Sequence, residues 1–353
     1  MISNSDSLRL SKKKVACSLI DLVNNTKKRV MYYSNTNIND VSKEDDYDNI
    51  IHYFQQELPI VDKGIIKRNI TSFIDKEIYG TKIEDILDFN KDYKKEYMYR
   101  TNKGILFSEY TSGTNGIPFL CIKTQNERVR IGYSLCRLRN NFYEHSIDKM
   151  FMFIHKFGDV TYPFPFEKID DKRERMYREL AYLSKSNYTW WHMTSFQMDN
   201  YYHFLQENEM KFPSLKVIEN NGSFISEDEK ELFGKKYNAR IANNYGCREV
   251  WVIAYDCPYG HLHINTERIY FEIVDEQGEV ITESNVVGYV VVTALDQFVM
   301  PFIRYRIGDM AYYEDGICEC GNLERRIVLI PGRNMIEGTG IYGNVAFRKV
   351  VRR

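Results

Sequence analysis

The sequence predicts a layered α/β protein that carries a small antiparallel β subdomain. Two observations lead to this fold class. Between about residues 105 and 249, short apolar runs typical of strands alternate with segments whose apolar residues recur at helical spacing. After Glu249 the strand-like runs follow one another directly, separated by turn residues, as in an antiparallel sheet.

The composition indicates a globular protein and excludes several function classes. Of 353 residues, 43% are hydrophobic, and the formal net charge is -1. Such a chain lacks the broad basic surface that supplies most of the affinity for nucleic acid. Its start is charged and has no long apolar stretch of the kind found in a signal peptide or a spanning helix. We therefore predict a cytoplasmic protein with no nucleic-acid and no membrane partner, whose seven cysteines are reduced thiols or metal ligands.

The predicted elements fall into three regions. Residues 1–104 are rich in Lys, Asn, Asp and Tyr and are predicted to be mostly helical. Residues 105–249 form the predicted α/β core, with strands at ILFSEY, FLCIKT, FMFIHKF, LKVIENNG and ARIANNYG. Within it, QNERVRIGYSLCRLRNNFYEH has helical spacing, and Ser226 and Glu229 have the spacing of a capping box at a helix start. Residues 250–330 form the predicted β-rich subdomain, with a hairpin at RIYFEIVDEQGEVITE and strands at GYVVVTAL and FIRYRIGDMAYY.

The stretch YTSGTNGIPF, from Tyr110 to Phe119, lies between two predicted strands. One interpretation is a hairpin turn that its glycines permit. The other is a phosphate cradle, because glycines let successive backbone N–H groups face one anion and the neighbouring hydroxyls add donors. The spacing is not that of a P-loop.

Two later stretches carry further polar groups at strand ends. NNYGCREV places Tyr245, Gly246 and Glu249 at the end of a predicted strand, where open α/β sheets bind ligands. MPFIRYRIGDM places Asp309 after a glycine. Taken singly, these residues have structural alternatives: a core aromatic, a solvated carboxylate and a turn residue.

Taken together and in this order, the three segments resemble the adenylate-forming superfamily of acyl and aryl coenzyme A ligases. The branch they are most similar to contains phenylacetate coenzyme A ligase and CapK-like proteins. The resemblance runs from about residue 105 to 333, and its most specific stretch is GHLHINTERIYFEIVDEQGEVITESNVVGYVVVTALDQFVMPFIRYRIGDM. It implies an AMP-binding large domain over residues 1–330. The implied reaction is ATP-dependent activation of an aryl or acyl carboxylic acid to an acyl adenylate, with release of pyrophosphate and transfer to a thiol such as coenzyme A or to another acceptor.

The resemblance also implies roles for single residues. Tyr245 matches the aromatic against adenine, Glu249 the carboxylate that holds Mg²⁺, and Asp309 the carboxylate that accepts hydrogen bonds from the ribose. The implied catalytic residues are Thr114, Arg248 and Glu249. The implied ATP- and AMP-binding residues are Thr111, Ser112, Gly113, Thr114, Gly116, Gly222, Ser223, Asn244, Tyr245, Gly246, Asp309 and Arg333.

Several positions depart from the family pattern. Ile117 stands where a lysine is common, and Arg248 stands where a threonine is usual. We hypothesise that the Arg248 guanidinium compensates by meeting a phosphate. Residues 331–353 lack the paired aspartates of the family's hinge and are interpreted as a hinge and the stub of a missing C-terminal domain, absent by truncation or in a natural variant.

Cysteine and histidine spacing predicts a structural zinc site. CPYGHLH and CECGN offer Cys257, His263, Cys318 and Cys320, with His261 as the alternative histidine. These are the nitrogen and sulfur ligands that tetrahedral Zn²⁺ prefers. Exposed thiols in a turn and histidines bonded to backbone carbonyls are the alternative.

The aromatic run after residue 186 has two interpretations. Trp190, Trp191, His192 and Phe196 would wall an acyl pocket, or they are core residues. Two other functions stay open: a nucleotide-binding partner subunit with weakened chemistry, and an acyl-protein synthetase that uses an activated thiol such as Cys247. The acid, the acceptor and the oligomeric state, a dimer among the alternatives, are not determined by the sequence.

Overall fold

The computed structural model describes residues 4–34, 46–78, 97–110, 120–143, 150–152 and 171–331. The chain divides into two compact units. Unit 1 comprises Met1–Ser134, Cys247–Ile253 and His263–Arg353, and unit 2 comprises Leu135–Gly246 and Ala254–Leu262. The predicted boundaries near residues 104, 249 and 330 stay a prediction.

Unit 1 begins with a long helix and several short ones. They are α1 (Asn4–Arg29), α2 (Met31–Ser34), α3 (Tyr47–Glu57), α4 (Lys63–Arg68) and a 3₁₀ turn at Ile70–Phe73. Two begin at aspartates whose carboxylates accept hydrogen bonds from backbone N–H groups of the first turn, at 2.8 Å each. Because the first turn of a helix leaves its N–H groups unpaired, these Asp46 and Asp62 caps define where α3 and α4 start.

A small antiparallel sheet follows in unit 1. Its strands are β2 (Tyr97–Thr101), β3 (Gly104–Tyr110) and β4 (Leu120–Thr124). The strands predicted at ILFSEY and FLCIKT are thereby confirmed. Tyr110 pairs with Leu120, so the two ends of the glycine-rich stretch are held as neighbours in this sheet.

A second antiparallel group in unit 1 consists of β11 (Ile269–Val274), β12 (Gly288–Ala294), β13 (Tyr305–Glu314) and β14 (Arg326–Ile330). Each pairs with the next along the chain, and β1 (Val61–Asp62) runs parallel to β13. The predicted β-rich subdomain strands at GYVVVTAL and FIRYRIGDMAYY are confirmed.

The predicted hairpin at RIYFEIVDEQGEVITE is present, with a short second arm. Gly278 takes a left-handed φ of 90° at the turn. The second arm makes an antiparallel bridge between Val274 and Val280, and the Ile281 N–H donates to the Ile273 carbonyl at 2.8 Å. Farther along the chain, the Asn285 N–H bonds to the Tyr313 carbonyl of β13 at 2.9 Å.

Unit 2 contains a parallel run of strands. These are β5 (Met150–Met152), β6 (Trp190–Met193), β7 (Val217–Asn221) and β8 (Arg240–Cys247), whose last residue belongs to unit 1. Neighbours along the chain pair in parallel. Two further strands, β9 (Trp251–Asp256) and β10 (Leu262–Ile264), continue the chain. The alternating pattern of residues 105–249 correctly predicted a parallel α/β arrangement.

Four helices connect these strands: α5 (Gln125–Phe142), α6 (Lys172–Ser184), α7 (Ser195–Glu207) and α8 (Glu227–Tyr237). The capping box predicted from Ser226 and Glu229 is present at the start of α8. Helices α6, α7 and α8 pack on an apolar core that includes Trp191, Met198 and Ile218. Together with the small antiparallel sheet, this confirms the predicted layered α/β fold class.

Two further findings concern the chain as a whole. All seven cysteines are unbridged, as their number in a chain without a predicted signal peptide indicated. Among the described residues, no helix combines the length and the apolar character needed to cross a bilayer.

Candidate functional site

Part of the predicted nucleotide site lies outside the described residues. This applies to Thr111, Ser112, Gly113, Thr114 and Gly116 of the glycine-rich loop, to Ile117 beside them and to Arg333. Their predicted roles stay predictions. The remaining positions are described, and they lie at strand ends and turns of the two units.

The end of β7 forms a tight loop in unit 2. Gly222 has a left-handed φ of 79°, and a Cβ built on it would meet nothing within 4 Å, so space is open beside its backbone. Ser223 does not present its hydroxyl to that space. Its Oγ accepts a hydrogen bond from the Ser195 N–H at 2.8 Å and donates to the Asn220 Oδ1 at 3.0 Å. Ser223 therefore fixes the loop against the start of α7.

The end of β8 carries the predicted adenine-contacting residues of unit 2. Tyr245 is buried, and Gly246 is half-buried. The Asn244 amide turns inward and donates to the Glu219 Oε1 at 3.0 Å. The Asn244 side chain thus stabilises the end of β8 through this buried hydrogen bond, next to Tyr245 in the chain.

Glu219 is the centre of a buried polar network that the sequence did not reveal. Arg139 of α5 donates to both of its carboxylate oxygens, at 2.7 Å each, and the Tyr255 hydroxyl donates at 2.7 Å. Burial alone would raise the pKa of Glu219, but Arg139 outweighs burial and, with Tyr255, lowers it to about 2. Glu219 is therefore an anion at neutral pH.

His192 lies on the same network. Its Nε2 is 2.9 Å from the Asn221 amide nitrogen and 3.7 Å from Glu219 Oε1. Burial lowers the pKa of His192, and the Arg139 cation adds to that effect, although Glu219 opposes it. The ring is thus neutral near pH 7, in contact with the polar end of β7.

The turn after β8 belongs to unit 1 and carries the predicted metal carboxylate. Glu249 is 6% exposed, and its Oε1 accepts a hydrogen bond from the Tyr305 hydroxyl at 2.9 Å. Arg248 is exposed, and its carbonyl accepts a hydrogen bond from the Lys123 Nζ at 2.9 Å. The turn thereby presents a fixed carboxylate next to a solvent-facing guanidinium.

Lys123 belongs to a buried charge cluster beneath this turn. Its Nζ lies 3.3 Å from Glu109 Oε2, which also accepts from the Trp251 indole at 3.0 Å, and Arg128 lies 3.5 Å from Glu109 Oε1. Burial would raise the pKa of Glu109, but the Lys123 and Arg128 cations hold it below its ordinary value. Glu109 and Lys123 sit on the two strands that flank the glycine-rich loop.

Asp309 lies in an irregular part of β13. Between the pairs Tyr289–Met310 and Val291–Arg306, β12 advances two residues while β13 advances four, so the chain bulges around Asp309. Gly308 permits the bulge with a left-handed φ of 93°. Bulges re-aim side chains and are common beside active sites. The bulge directs a half-buried carboxylate out of the regular ladder.

The predicted zinc ligands come together. The ligand atoms of Cys257, His263, Cys318 and Cys320 all lie within 4.8 Å of one another. The His263 Nε2 is 3.4 Å from the Cys320 sulfur, and its Nδ1 lies 3.0 Å from the Glu324 carbonyl. A histidine held through its other nitrogen by a carbonyl is the usual arrangement around a metal. His263, rather than His261, is the histidine of this cluster.

Cys247 does not have the surroundings of an activated thiol. Burial raises its pKa well above the ordinary value, and the nearby Glu249 carboxylate raises it further. A nucleophilic cysteine needs the opposite shift.

The aromatic run divides between core and surface. Trp190 and Trp191 are fully buried, and Trp191 packs edge-on against Phe212 at 4.8 Å. Phe196, at the start of α7, is 60% exposed. Trp191 is therefore a core residue, as the second interpretation predicted. Phe196 is an apolar side chain of the same run that faces solvent.

Comparison with known proteins relates this chain to solved structures only. Neither a family model nor a curated protein matches it. It is similar to an open conformation of 2-hydroxyisobutyryl-CoA ligase in complex with 2-HIB-AMP and CoA, with a TM-score of 0.70 and 13% identity over 92% of this chain and 75% of the ligase.

Two more structures extend the comparison. The same ligase in its thioesterification state matches with a TM-score of 0.66 and 14% identity, over 91% of this chain and 68% of the ligase. The acyl acid amido synthetase AtGH3.15 in complex with 2,4-DB matches with a TM-score of 0.61 and 14% identity, over 99% of this chain and 74% of the synthetase. At these identities the likeness establishes the fold, which is that of adenylate-forming enzymes.

Proposed function

We propose that this protein activates a carboxylic acid with ATP, forming an acyl adenylate and releasing pyrophosphate. The observation that carries the proposal is the fold, shared over 92% of the chain with a ligase whose structure holds an acyl adenylate and coenzyme A. Fold alone does not define a reaction, so the argument rests equally on side chains at the strand ends. The nearest relatives in function are, in this proposal, the phenylacetate coenzyme A ligase and CapK-like branch.

The described residues fit a nucleotide. The open space beside Gly222 leaves room for a flat base against the backbone, and Tyr245 supplies an aromatic ring for the same base. Asp309, which lies in the bulge of β13, is the proposed acceptor of hydrogen bonds from the ribose hydroxyls. Arg333 and the loop residues Thr111, Ser112, Gly113, Thr114 and Gly116 complete the proposed set.

Glu249 fits a magnesium ligand. It is a carboxylate whose Oε1 is held by the Tyr305 hydroxyl, and Mg²⁺ with ATP is commonly held by one or two carboxylates and the phosphates. When bound, the ion neutralises charge on the phosphates. Arg248, exposed beside Glu249, meets a phosphate oxygen in this proposal and takes over part of the role of the lysine replaced by Ile117.

In the proposed reaction, a carboxylate oxygen of the acid attacks the α-phosphorus of ATP, and the bond from that phosphorus to pyrophosphate breaks. The residues act by holding the two reactants in line and by neutralising developing charge. A thiol such as coenzyme A, or an amine as in an amido synthetase, then displaces AMP. The raised pKa of Cys247 argues against an acyl-protein synthetase that uses this thiol.

Calorimetric titration of Mg²⁺-ATP into the chain, alone and with a panel of aryl and acyl acids, tests the proposal. We expect saturable ATP binding that one class of acid tightens, because the acid and the nucleotide occupy adjoining sites. If ATP binds and no acid affects it, the chain is a nucleotide-binding partner subunit instead.

We further propose that the Cys257, His263, Cys318 and Cys320 cluster holds a structural Zn²⁺. Three sulfurs and one imidazole nitrogen form a closed tetrahedral donor set of the kind seen in structural sites. With four protein ligands the ion has no open position for catalysis. Its contribution is stability, because the binding of a structural zinc contributes free energy directly to folding.

The cytoplasm is the proposed location. Seven unbridged cysteines, three of them partly exposed and one exposed, are stable in a reducing compartment. A dimer stays an open alternative to a monomer.

A further inference from the structure

Three consecutive backbone carbonyls around Glu249 each accept a hydrogen bond from a buried side chain. The Arg248 carbonyl accepts from the Lys123 Nζ at 2.9 Å, and the Glu249 carbonyl accepts from the Gln297 Nε2 at 3.3 Å. The Val250 carbonyl accepts from the Arg268 Nη1 at 3.4 Å. All three donors are at least 98% buried. We call Lys123, Gln297 and Arg268 the carbonyl clamp.

The charged members of the clamp are themselves anchored. Arg268 makes two 2.7 Å hydrogen bonds to the carboxylate of Asp296. Gln297 directly follows Asp296 in the chain, so this ion pair also restrains the backbone beside Gln297. Lys123 is anchored by Glu109 at 3.3 Å. The positions of the clamp side chains are therefore held by these contacts, and their hydrogen bonds limit how far the three carbonyls can move.

The turn needs such restraint. Trp251, directly after the clamped carbonyls, has a φ of 65°, a left-handed conformation that a large side chain rarely adopts. Its indole is fixed by the 3.0 Å hydrogen bond to Glu109. Strained backbone persists where the surroundings hold it, and such strain is common at functional sites.

Gln297 is poorly suited to a purely structural role. Its Oε1 is buried and has no hydrogen-bond partner among the residues that the structure describes, so within that part of the chain the residue gains one hydrogen bond and leaves one acceptor unpaired. An apolar residue of similar size would avoid the unpaired oxygen at little net cost in stability. What Gln297 does provide is a donor aimed at the carbonyl of Glu249.

We propose that Lys123, Gln297 and Arg268 are positioning residues that hold the Glu249 carboxylate where it meets the metal of Mg²⁺-ATP. The inference rests on the proposed function, which makes Glu249 the metal carboxylate. Lys123 lies on β4, which pairs with β3, so the clamp joins the turn at Glu249 to the small antiparallel sheet.

The test is the affinity of the Gln297→Met variant for two nucleotides, measured by calorimetry. We expect Mg²⁺-ATP affinity to fall about tenfold, the equivalent of one lost hydrogen bond. Affinity for AMP in EDTA is expected to be unchanged, because AMP binding makes no use of the metal. The melting temperature is expected to stay within about 2 °C, because the lost bond is offset by removal of the unpaired oxygen.

Gln55→Met is the matched control. Gln55 also donates a side-chain hydrogen bond from its Nε2, to the Tyr270 hydroxyl at 2.8 Å, and Tyr270 lies on β11. This variant is expected to bind both nucleotides as the wild type does. The Glu109→Gln, Lys123→Met double variant provides a second route to the same loss, since it removes the clamp on Arg248 together with the carboxylate that Lys123 pairs with. Arg128, which loses Glu109 in this variant, keeps its position over the Phe107 ring.

The outcomes separate the two claims. If the wild type binds Mg²⁺-ATP and both Gln297→Met and the double variant bind it with the same affinity, the proposed role of the clamp is wrong and the proposed function stands. Equal losses for Mg²⁺-ATP and AMP would also overturn it, because they would indicate a general disturbance of the pocket. Absence of ATP binding by the wild type would overturn the proposed function and the clamp with it.

Discussion

Replacing Arg139 with methionine is expected to lower the free energy of unfolding by about 3–5 kcal/mol at pH 7, because it leaves the Glu219 carboxylate buried without its cation. Glu219 is 0% exposed, so water cannot take over from the lost guanidinium. The measurement is urea denaturation followed by circular dichroism. Arg137→Met, an exposed arginine on the same helix, serves as the control and is expected to change stability by less than about 0.5 kcal/mol.

The pH dependence of this variant follows from the pKa of Glu219. In the wild type that pKa is lowered from 4.5 to about 2, so the pair contributes stability that is present above about pH 4.5 and is lost as the pH falls toward 2. In Arg139→Met, burial without the cation raises the pKa of Glu219 instead. The stability gap between variant and wild type should therefore narrow between pH 7 and pH 4. A gap that is constant with pH would contradict the ion-pair account.

Replacing Cys318 with serine is expected to remove the bound zinc and to lower thermal stability strongly. Binding of a structural zinc contributes free energy directly to folding, and loss of one of four ligands leaves an open site for water. Metal analysis of protein purified without a histidine tag should give about one zinc per wild-type chain and well below half a zinc in the variant. Wild-type protein treated with a chelator should lose stability in the same way.

Cys136→Ser is the matched control for zinc. Cys136 is an exposed, unbridged cysteine of α5 and is not in the cluster. This variant should retain its zinc and its melting temperature. Wild-type protein with no stoichiometric zinc would leave the four residues as a cluster of reduced thiols and one histidine.

Local patterns in the sequence were sufficient to predict most of the described fold. The capping box at Ser226 depends on residues three positions apart, and the strands around the glycine-rich stretch depend on short apolar runs. The hairpin after Val274 is present, but the bond from Asn285 to Tyr313 that follows its second arm joins distant segments and was not predicted. Local propensity contains no information about such a bond.

The polar clusters were missed for the same reason. Arg139 and Glu219 are 80 positions apart, and Lys123 and Arg248 are 125 apart, so no motif connects them. The signal that was available is a charged residue inside an apolar run, as with Glu219 in KVIENN and Lys123 in FLCIKT. The surroundings of Asp309 could be predicted only in part from the sequence. Its glycine neighbour predicted a turn, but the bulge arises from the register of β12 against β13.

The most direct test of the central claim, that this chain binds ATP for acid activation, is calorimetric titration of Mg²⁺-ATP into the wild type and into Asp309→Ala. We expect saturable binding by the wild type and a loss of at least about 100-fold in the variant, because a carboxylate that accepts two ribose hydroxyls contributes about 3 kcal/mol. Asp228→Ala, at an exposed aspartate of α8, should bind as the wild type does. Folded wild-type protein that binds no ATP, or an Asp309→Ala variant that binds it equally well, would contradict the account.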